Sequence, residues 1–201
     1  MVSYEGQTLS TRKGHIVYLE DLLNRSIEKA LAIIEEKSPE LENKEEVARQ
    51  VGVGAVVFFA LYNNRIKDID FWWDRALNFD GETGPYVQYT HARCCSVLRK
   101  AEMPAEAPDY QALAGVEAQN VIRLIERFPE VVADTIDRNE PSLITRFSVD
   151  LAQAFNKVFY ECRILDDDPA ARAAKLLLTS QVRDLIRTAL RLVGIEAPEK
   201  M

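Results

Sequence analysis

Residues Phe79–Arg93 read F-D-G-E-T-G-P-Y-V-Q-Y-T-H-A-R. Asp80 and Gly81 suit a tight turn, because glycine tolerates positive φ and aspartate can hydrogen-bond its own backbone. Thr83 then stands where an N-cap is wanted, and Pro85 falls in the first helical turn, where its missing N–H costs nothing. The spacing predicts a helix from Pro85 to Ala101. A helix start in a helical protein accounts for the turn. It does not account for the run that follows. Gln88, Tyr89, Thr90, His91 and Arg93 crowd one short stretch, which is unusual for a core element. A surface helix without a task would rarely carry two Tyr and a Gln beside an Arg.

Outward from that stretch the chain reads as mostly α, with a little β near the N-terminus. Met1–Gly14 reads as a loop or hairpin, and the apolar run His15–Leu19 reads as a short buried strand. Apolar residues at Leu23, Ile27, Ala30, Leu31 and Ile34 predict an amphipathic helix over Glu20–Lys37, its acids first and its Lys last as the helix dipole favours. A second helix is predicted over Lys44–Asn64. Its middle, V-G-V-G-A-V-V-F-F-A-L, holds Gly52 and Gly54; each costs a helix roughly 1 kcal/mol relative to Ala, so close packing against a neighbour is their expected use. Of the adjacent Trp72 and Trp73, one is expected to anchor the core and the other to cover the turn at Asp80. Met103–Tyr110, with Pro104 and Pro108, reads as a linker. Helices are then predicted over Gly115–Arg127, Pro129–Arg138, Ser142–Leu165 and Pro169–Val193. Asp166–Asp168 followed by Pro169 is a strong start signal for the last.

The 201 residues are 47% hydrophobic and 28% charged, ordinary for a globular chain and contrary to disorder. No apolar run reaches the ~20 residues that a bilayer requires, and no signal-peptide pattern opens the chain. A cytoplasmic location is the expectation. Cys94, Cys95 and Cys162 make neither a disulfide framework nor a metal quartet, and with only His15 and His91 a histidine-rich centre is not expected. The net charge of −7 argues against a general nucleic-acid binder. The charge is uneven, however. Residues 1–140 hold 16 Lys and Arg against 24 Asp and Glu, whereas residues 141–201 hold 9 against 8. A basic surface is therefore permitted in the last third. Arg183, Arg187 and Arg191, four apart, fall on one face of the last predicted helix, with Arg172 and Lys175 earlier on it. Such a stripe can meet phosphates; a solvated face, with Asp184 beside Arg183, explains it equally well. Asn156 and Tyr160 are also four apart and could offer an amide and a ring to a looped-out base. A half-buried core ring is the alternative for Tyr160.

Three segments resemble arginyl-tRNA synthetases and occur in that family's order. Thr8-Leu9-Ser10-Thr11-Arg12-Lys13-Gly14 resembles a degenerate form of the K-M-S-K-S loop, with Thr8 and Thr11 in the two lysine places. Val51–Arg65 and Phe79–Arg93 together resemble the family's junction between catalytic body and anticodon-binding domain. Asn139–Leu165, with A-L-R-L-V-G-I-E-A-P-E-K-M at the C-terminus, resembles the D-A-L-R anticodon-binding bundle; Thr188 stands where the name has Asp. The H-I-G-H signature does not occur, so the chain is expected to be a fragment that is inactive alone. The resemblance implies a mostly α fold: residues 1–83 a small α/β remnant of a class I catalytic domain, and residues 84–201 a DALR-type helical bundle. It implies tRNA(Arg) as partner, and a catalytic half as a second candidate partner, with no membrane or DNA. ATP with Mg2+ would serve the full-length enzyme, with no cofactor for this chain alone. The implied ATP-loop residues are Ser10, Thr11, Arg12, Lys13 and Gly14. The candidate RNA contacts are Asp80, Gly81, Gly84, Gln88, Tyr89, Arg93, Asn156, Tyr160, Arg183, Arg187, Arg191 and Met201. A stand-alone tRNA-binding or regulatory protein, or a structural bundle that binds no RNA, are the competing readings.

Overall fold

The turn before the signature helix is held by side chains. In the computed structural model, which describes every residue except Met1, Thr11, Arg12, Lys13, His15 and Met103, Thr83 caps helix α4 (Gly84–Lys100). Its hydroxyl accepts from the Tyr86 N–H at 3.2 Å and donates to the Asn78 carbonyl. The Asn78 side chain in turn accepts from the Asp80 N–H at 2.8 Å. Gly81 does not adopt positive φ, so the turn depends on Asn78 and Thr83, not on glycine freedom.

Two long helices precede it, α1 (Leu19–Lys37) and α2 (Lys44–Tyr62). Helix α2 is apolar nearly all round because it is covered on both sides. Residues two apart point about 200° apart on a helix, so Gly52 and Gly54 serve opposite neighbours. A Cβ on Gly52 would lie 2.7 Å from the Ile27 Cα of α1, where the Ser26 hydroxyl also donates to the Gly52 carbonyl at 2.8 Å. A Cβ on Gly54 would lie 2.7 Å from the Gln88 amide nitrogen of α4. Gly84 repeats the device from the other side: its Cβ would come within 2.8 Å of Phe58 Cβ and 3.0 Å of the Gly54 carbonyl.

Three short strands sit beside α1 and α2. Strand β1 (Val2–Tyr4) pairs antiparallel with β2 (Gln7–Thr8) across a Glu5-Gly6 turn with both φ positive, and parallel with β3 (Ile69–Phe71), register Val2↔Ile69 and Tyr4↔Phe71. A one-turn helix α3 (Trp73–Ala76) follows. Trp73 anchors the core, its indole N–H donating to the Tyr4 hydroxyl at 2.9 Å. Trp72 does not cover the Asp80 turn. Its indole donates to Asp70 at 2.7 Å and lies against Gly6 of the β1–β2 turn. Of the run expected as a strand, His15 lies outside the described residues and residues 16–18 form no strand: Ile16, Tyr18 and Leu19 are exposed, and Leu19 already opens α1.

The rest is a bundle of α4, α5 (Val116–Arg138), α6 (Ser142–Glu161) and α7 (Pro169–Leu192), with a short 3-10 turn at Tyr110–Leu113. Helix α5 runs unbroken through Pro129. The proline forfeits the bond to the Ile125 carbonyl, yet Val121, Leu124, Ile125, Phe128, Val131 and Val132 keep one apolar stripe in the core on both sides of it. That packing outweighs the lost bond. Helix α6 stops at Glu161, four residues early, and Asp168 caps α7 by accepting from the Ala170 N–H at 3.2 Å. Two apolar cores result. One gathers Ala30, Ile34, Val51, Phe71, Trp73 and Leu77; the other gathers Val87, Val121, Phe147, Leu151, Phe155 and Ile186. They meet along α2, which gives Val51 to the first and Phe58 to the second.

Candidate nucleic-acid interface

Arg93 sits two turns into α4, facing the end of α6. Its guanidinium lies 5.0 Å from the ring centre of Tyr89, 4.7 Å from Phe159 and 5.3 Å from Tyr160. It donates to the Asn156 side-chain oxygen and, at 3.2 Å, to the Tyr160 hydroxyl. Asn156 is oriented in turn: its NH2 donates to the Tyr86 hydroxyl at 2.9 Å and to Thr90 Oγ1 at 3.1 Å. A guanidinium carries five N–H donors, and two serve these bonds. All partners are neutral, so the positive charge is aimed without being cancelled.

Three clefts share Arg93. One, of about 410 Å3, runs past Lys37, Phe79, Asp80, Tyr89, Tyr160 and Met201. A second, of about 480 Å3, continues beyond Met201 to Arg99 and Lys200. The third, of about 370 Å3, opens toward Lys100, Phe159 and Arg163. Tyr89 is 40% exposed and Tyr160 73% exposed. Exposed rings beside an oriented guanidinium, with further cations around, have the chemistry on which unpaired bases can stack and phosphates can be met.

Of the expected contacts, Asp80, Tyr89, Arg93, Tyr160 and Met201 come together here. Gly81 lies in the turn near Asn78. Three others belong to the interior. Gly84 is buried against Phe58. Gln88 is fully buried and donates to the Gln50 and Glu196 carbonyls. Asn156 is buried and its amide is occupied as described, so it presents no amide to a base. The arginine stripe on α7 lines none of the three clefts. Arg183 donates to both Asp184 oxygens at 3.0 Å, and Arg187 reaches the same carboxylate at 2.9 Å. Hydrogen bonding from Arg183 holds the Asp184 carboxyl below the usual carboxylate range. Arg172 and Lys175 are used at the start of α7, on the Asp166 carbonyl and carboxylate. Arg191 is exposed. Lys37, Phe79, Phe159 and Lys200 were not among the expected contacts; for Phe159 the available signal was its place three residues after Asn156, on the same helix face.

Burial pushes the Cys94 and Cys95 thiols up, away from the thiolate form. Among the described residues no cluster of His, Cys, Asp or Glu is placed to hold a metal, and no helix is long and apolar enough to cross a membrane. Of the expected ATP loop, Thr11, Arg12 and Lys13 lie outside the described residues. Ser10 is half-buried and Gly14 is exposed at φ +72°. Neither carries charge; the charged members of the expected loop, Arg12 and Lys13, are the ones outside the described residues.

Comparison with known proteins bears on this geometry. The family model described as DALR anticodon binding domain matches residues 87–201, and the one described as tRNA synthetases class I (R), catalytic domain, matches residues 1–73. The arginine--tRNA ligase of Halothermothrix orenii is 53% identical over 202 residues, covering 100% of this chain and 36% of that protein. That of Clostridioides difficile is 50% identical with the same coverage. The chain thus spans little more than a third of the curated relatives it matches. The structure of Thermus thermophilus arginyl-tRNA synthetase superimposes with a TM-score of 0.91 at 35% identity, covering 100% of this chain and 34% of that one. The Plasmodium falciparum arginyl-tRNA synthetase shares the fold, with a TM-score of 0.82 over 92% of this chain at 24% identity.

Proposed function

This chain belongs to the DALR anticodon-binding domain family, and from that premise we propose that it grips the anticodon arm of tRNA(Arg) at the Arg93 clefts. It corresponds in sequence and fold to the anticodon-binding portion of arginine--tRNA ligases. The observation that carries the proposal is Arg93 itself, oriented by Asn156 and bracketed by three rings with no carboxylate partner among the described residues. A looped-out base stacks on Tyr89 or Tyr160 while Arg93 supplies charge and donors to it or to its phosphate. Lys37, Arg99, Lys100 and Lys200 ring the clefts and meet the neighbouring backbone. Binding of this kind weakens with salt through counterion release.

The division of labour follows the two cores. Residues 1–83 form the remainder of the catalytic unit and residues 84–201 the RNA-binding unit. The parent reaction attaches arginine to tRNA at the expense of ATP with Mg2+, in the cytoplasm, with the catalytic half as the second partner. This chain's part is to hold the RNA. The test is filter binding of unfractionated tRNA at fixed salt, with the retained species identified. Arginine-accepting tRNA is expected to be enriched, and an anticodon-swapped version of it to bind more weakly. Equal retention of both would remove the anticodon from the proposal.

A further inference from the structure

Gln88 and His91 touch none of the clefts, yet they stand in the same helix as Tyr89 and Arg93. We propose that they are positioning residues: with Arg99 they hold the C-terminal tail by its backbone carbonyls and so fix Met201 as part of the cleft wall. The RNA arm of this inference rests on the function proposed above; the tail arm does not.

The tail leaves α7 through Gly194 at φ +74°, where the Ile195 N–H returns to the Leu190 carbonyl at 2.9 Å. It then crosses α4. The Gln88 amide donates to the Glu196 carbonyl at 2.7 Å, the His91 Nδ1–H to the Pro198 carbonyl at 2.9 Å, and the Arg99 guanidinium to the Glu199 carbonyl at 3.1 Å. Burial keeps the imidazole neutral by pushing its pKa down, which suits one donating nitrogen. Residues 88, 91 and 99 fall on one face of α4, and residues 89 and 93 on the adjoining one. One helix therefore carries the tail on one face and the candidate RNA contacts on the next.

Two features are costly to the fold and serve the tail as well as the α2–α4 contact. Gln88 Nε2 is shared between the Gln50 carbonyl of α2, at 3.0 Å, and the tail, while Gln88 Oε1 is buried with no partner among the described residues, a penalty that an apolar side chain of the same shape avoids. Gly54 gives up its side chain where the amide and the tail pass: a Cβ there would lie 2.7 Å from Gln88 Nε2 and 3.1 Å from Ile195 Cγ2. The grip is on main-chain oxygens, so it fixes the path of the tail while leaving the Met201 side chain to the cleft. A tail ordered in advance spares the ordering cost on binding.

The experiment uses the whole 201-residue chain. Carboxypeptidase release of Met201 and Lys200 is timed in wild type, Gln88→Leu and Arg99→Ala, with circular dichroism confirming the fold. Gln88→Leu, which removes the tail bond, is expected to speed release roughly tenfold, and Arg99→Ala, at an exposed site, about threefold. Unchanged release in both overturns the clamp, and if Gln88→Leu fails to fold, Arg99→Ala alone decides. Binding of arginine-accepting tRNA is then compared for Gln88→Leu, a deletion of Glu199–Met201, and the two combined. The combination should bind no more weakly than the deletion alone. Multiplied losses would mean that Gln88 acts on RNA independently of the tail, overturning the proposal. If wild type binds no tRNA, the function reading fails, and the release rates alone decide the clamp.

Discussion

Two arginine sites in this molecule are built in opposite ways. On α7, Arg183 and Arg187 converge on one carboxylate, Asp184. On α4, Arg93 is held by an amide, a phenol and three ring faces. Both arrangements restrain a long side chain. Only the second leaves its charge whole. Spacing along a helix places cations on a face, but the partner's charge decides whether they remain available to a phosphate. A neutral scaffold orients a guanidinium for a ligand; an acidic one spends it on the fold.

Replacement of each arginine by Ala tests this contrast most directly. Arg93→Ala is expected to weaken tRNA binding by roughly ten- to hundredfold, the worth of about one stacked or bidentate contact. Arg183→Ala should stay within about threefold. Kd values at one salt concentration decide the matter, and similar losses for the two would dissolve the distinction.

The contrast can be sharpened by giving Arg93 the partner that Arg183 has. Asn156→Asp places a carboxylate against the guanidinium with little change of shape. Binding is expected to fall about tenfold, and the slope of log K against log salt to shrink by about one phosphate contact. The thermal midpoint separates this from unfolding, because Asn156 is buried. A variant that binds as well as wild type would show that charge cancellation is not what distinguishes the sites.

The reverse change is smaller. Asp184→Asn releases Arg183 and Arg187, and is expected to raise tRNA affinity by less than about threefold, since neither lines the clefts. Asp184 also gives the smallest effect, on pH. Its folded pKa is depressed, so its contribution is present above the unfolded carboxylate value of about 3.9 and is lost as pH falls through the lower folded value. The side chain is 40% exposed, so solvent screening keeps the contribution to a fraction of about 1 kcal/mol. Thermal midpoints of wild type and Asp184→Asn should differ slightly at neutral pH and converge as pH falls below the carboxylate range. A gap that persists there would assign the difference to shape, not charge.

Much of this architecture was legible in the residues. Thr83, Pro85, Asp168 and Pro169 announce their helices by chemistry that acts locally, and local chemistry is what a sequence displays. Gly52 and Gly54 signalled close packing, although not that they serve opposite neighbours. Pro129 misled because its cost is local whereas the compensating stripe against α6 is tertiary. Gln88 and Asn156 were read as RNA contacts, but their burial depends on what crosses them: the tail for one, Arg93 for the other. Asn78, which holds the turn, and Phe79, in the cleft wall, carry no pattern that periodicity could expose. The ATP loop is tested least, with Thr11, Arg12 and Lys13 outside the described residues.

Helix α2 meets the α1 backbone at Gly52, and meets α4 where the Gly54 carbonyl lies against Gly84. Most helix pairs are separated by side chains, which can absorb a shift by changing rotamer. These two joints have no such cushion, and packed interiors compress little. Helices α1, α2 and α4 must therefore move as one beam. A load applied at Arg93 reaches α1, beside the β-strands of the other core, with little side-chain compliance to dissipate it.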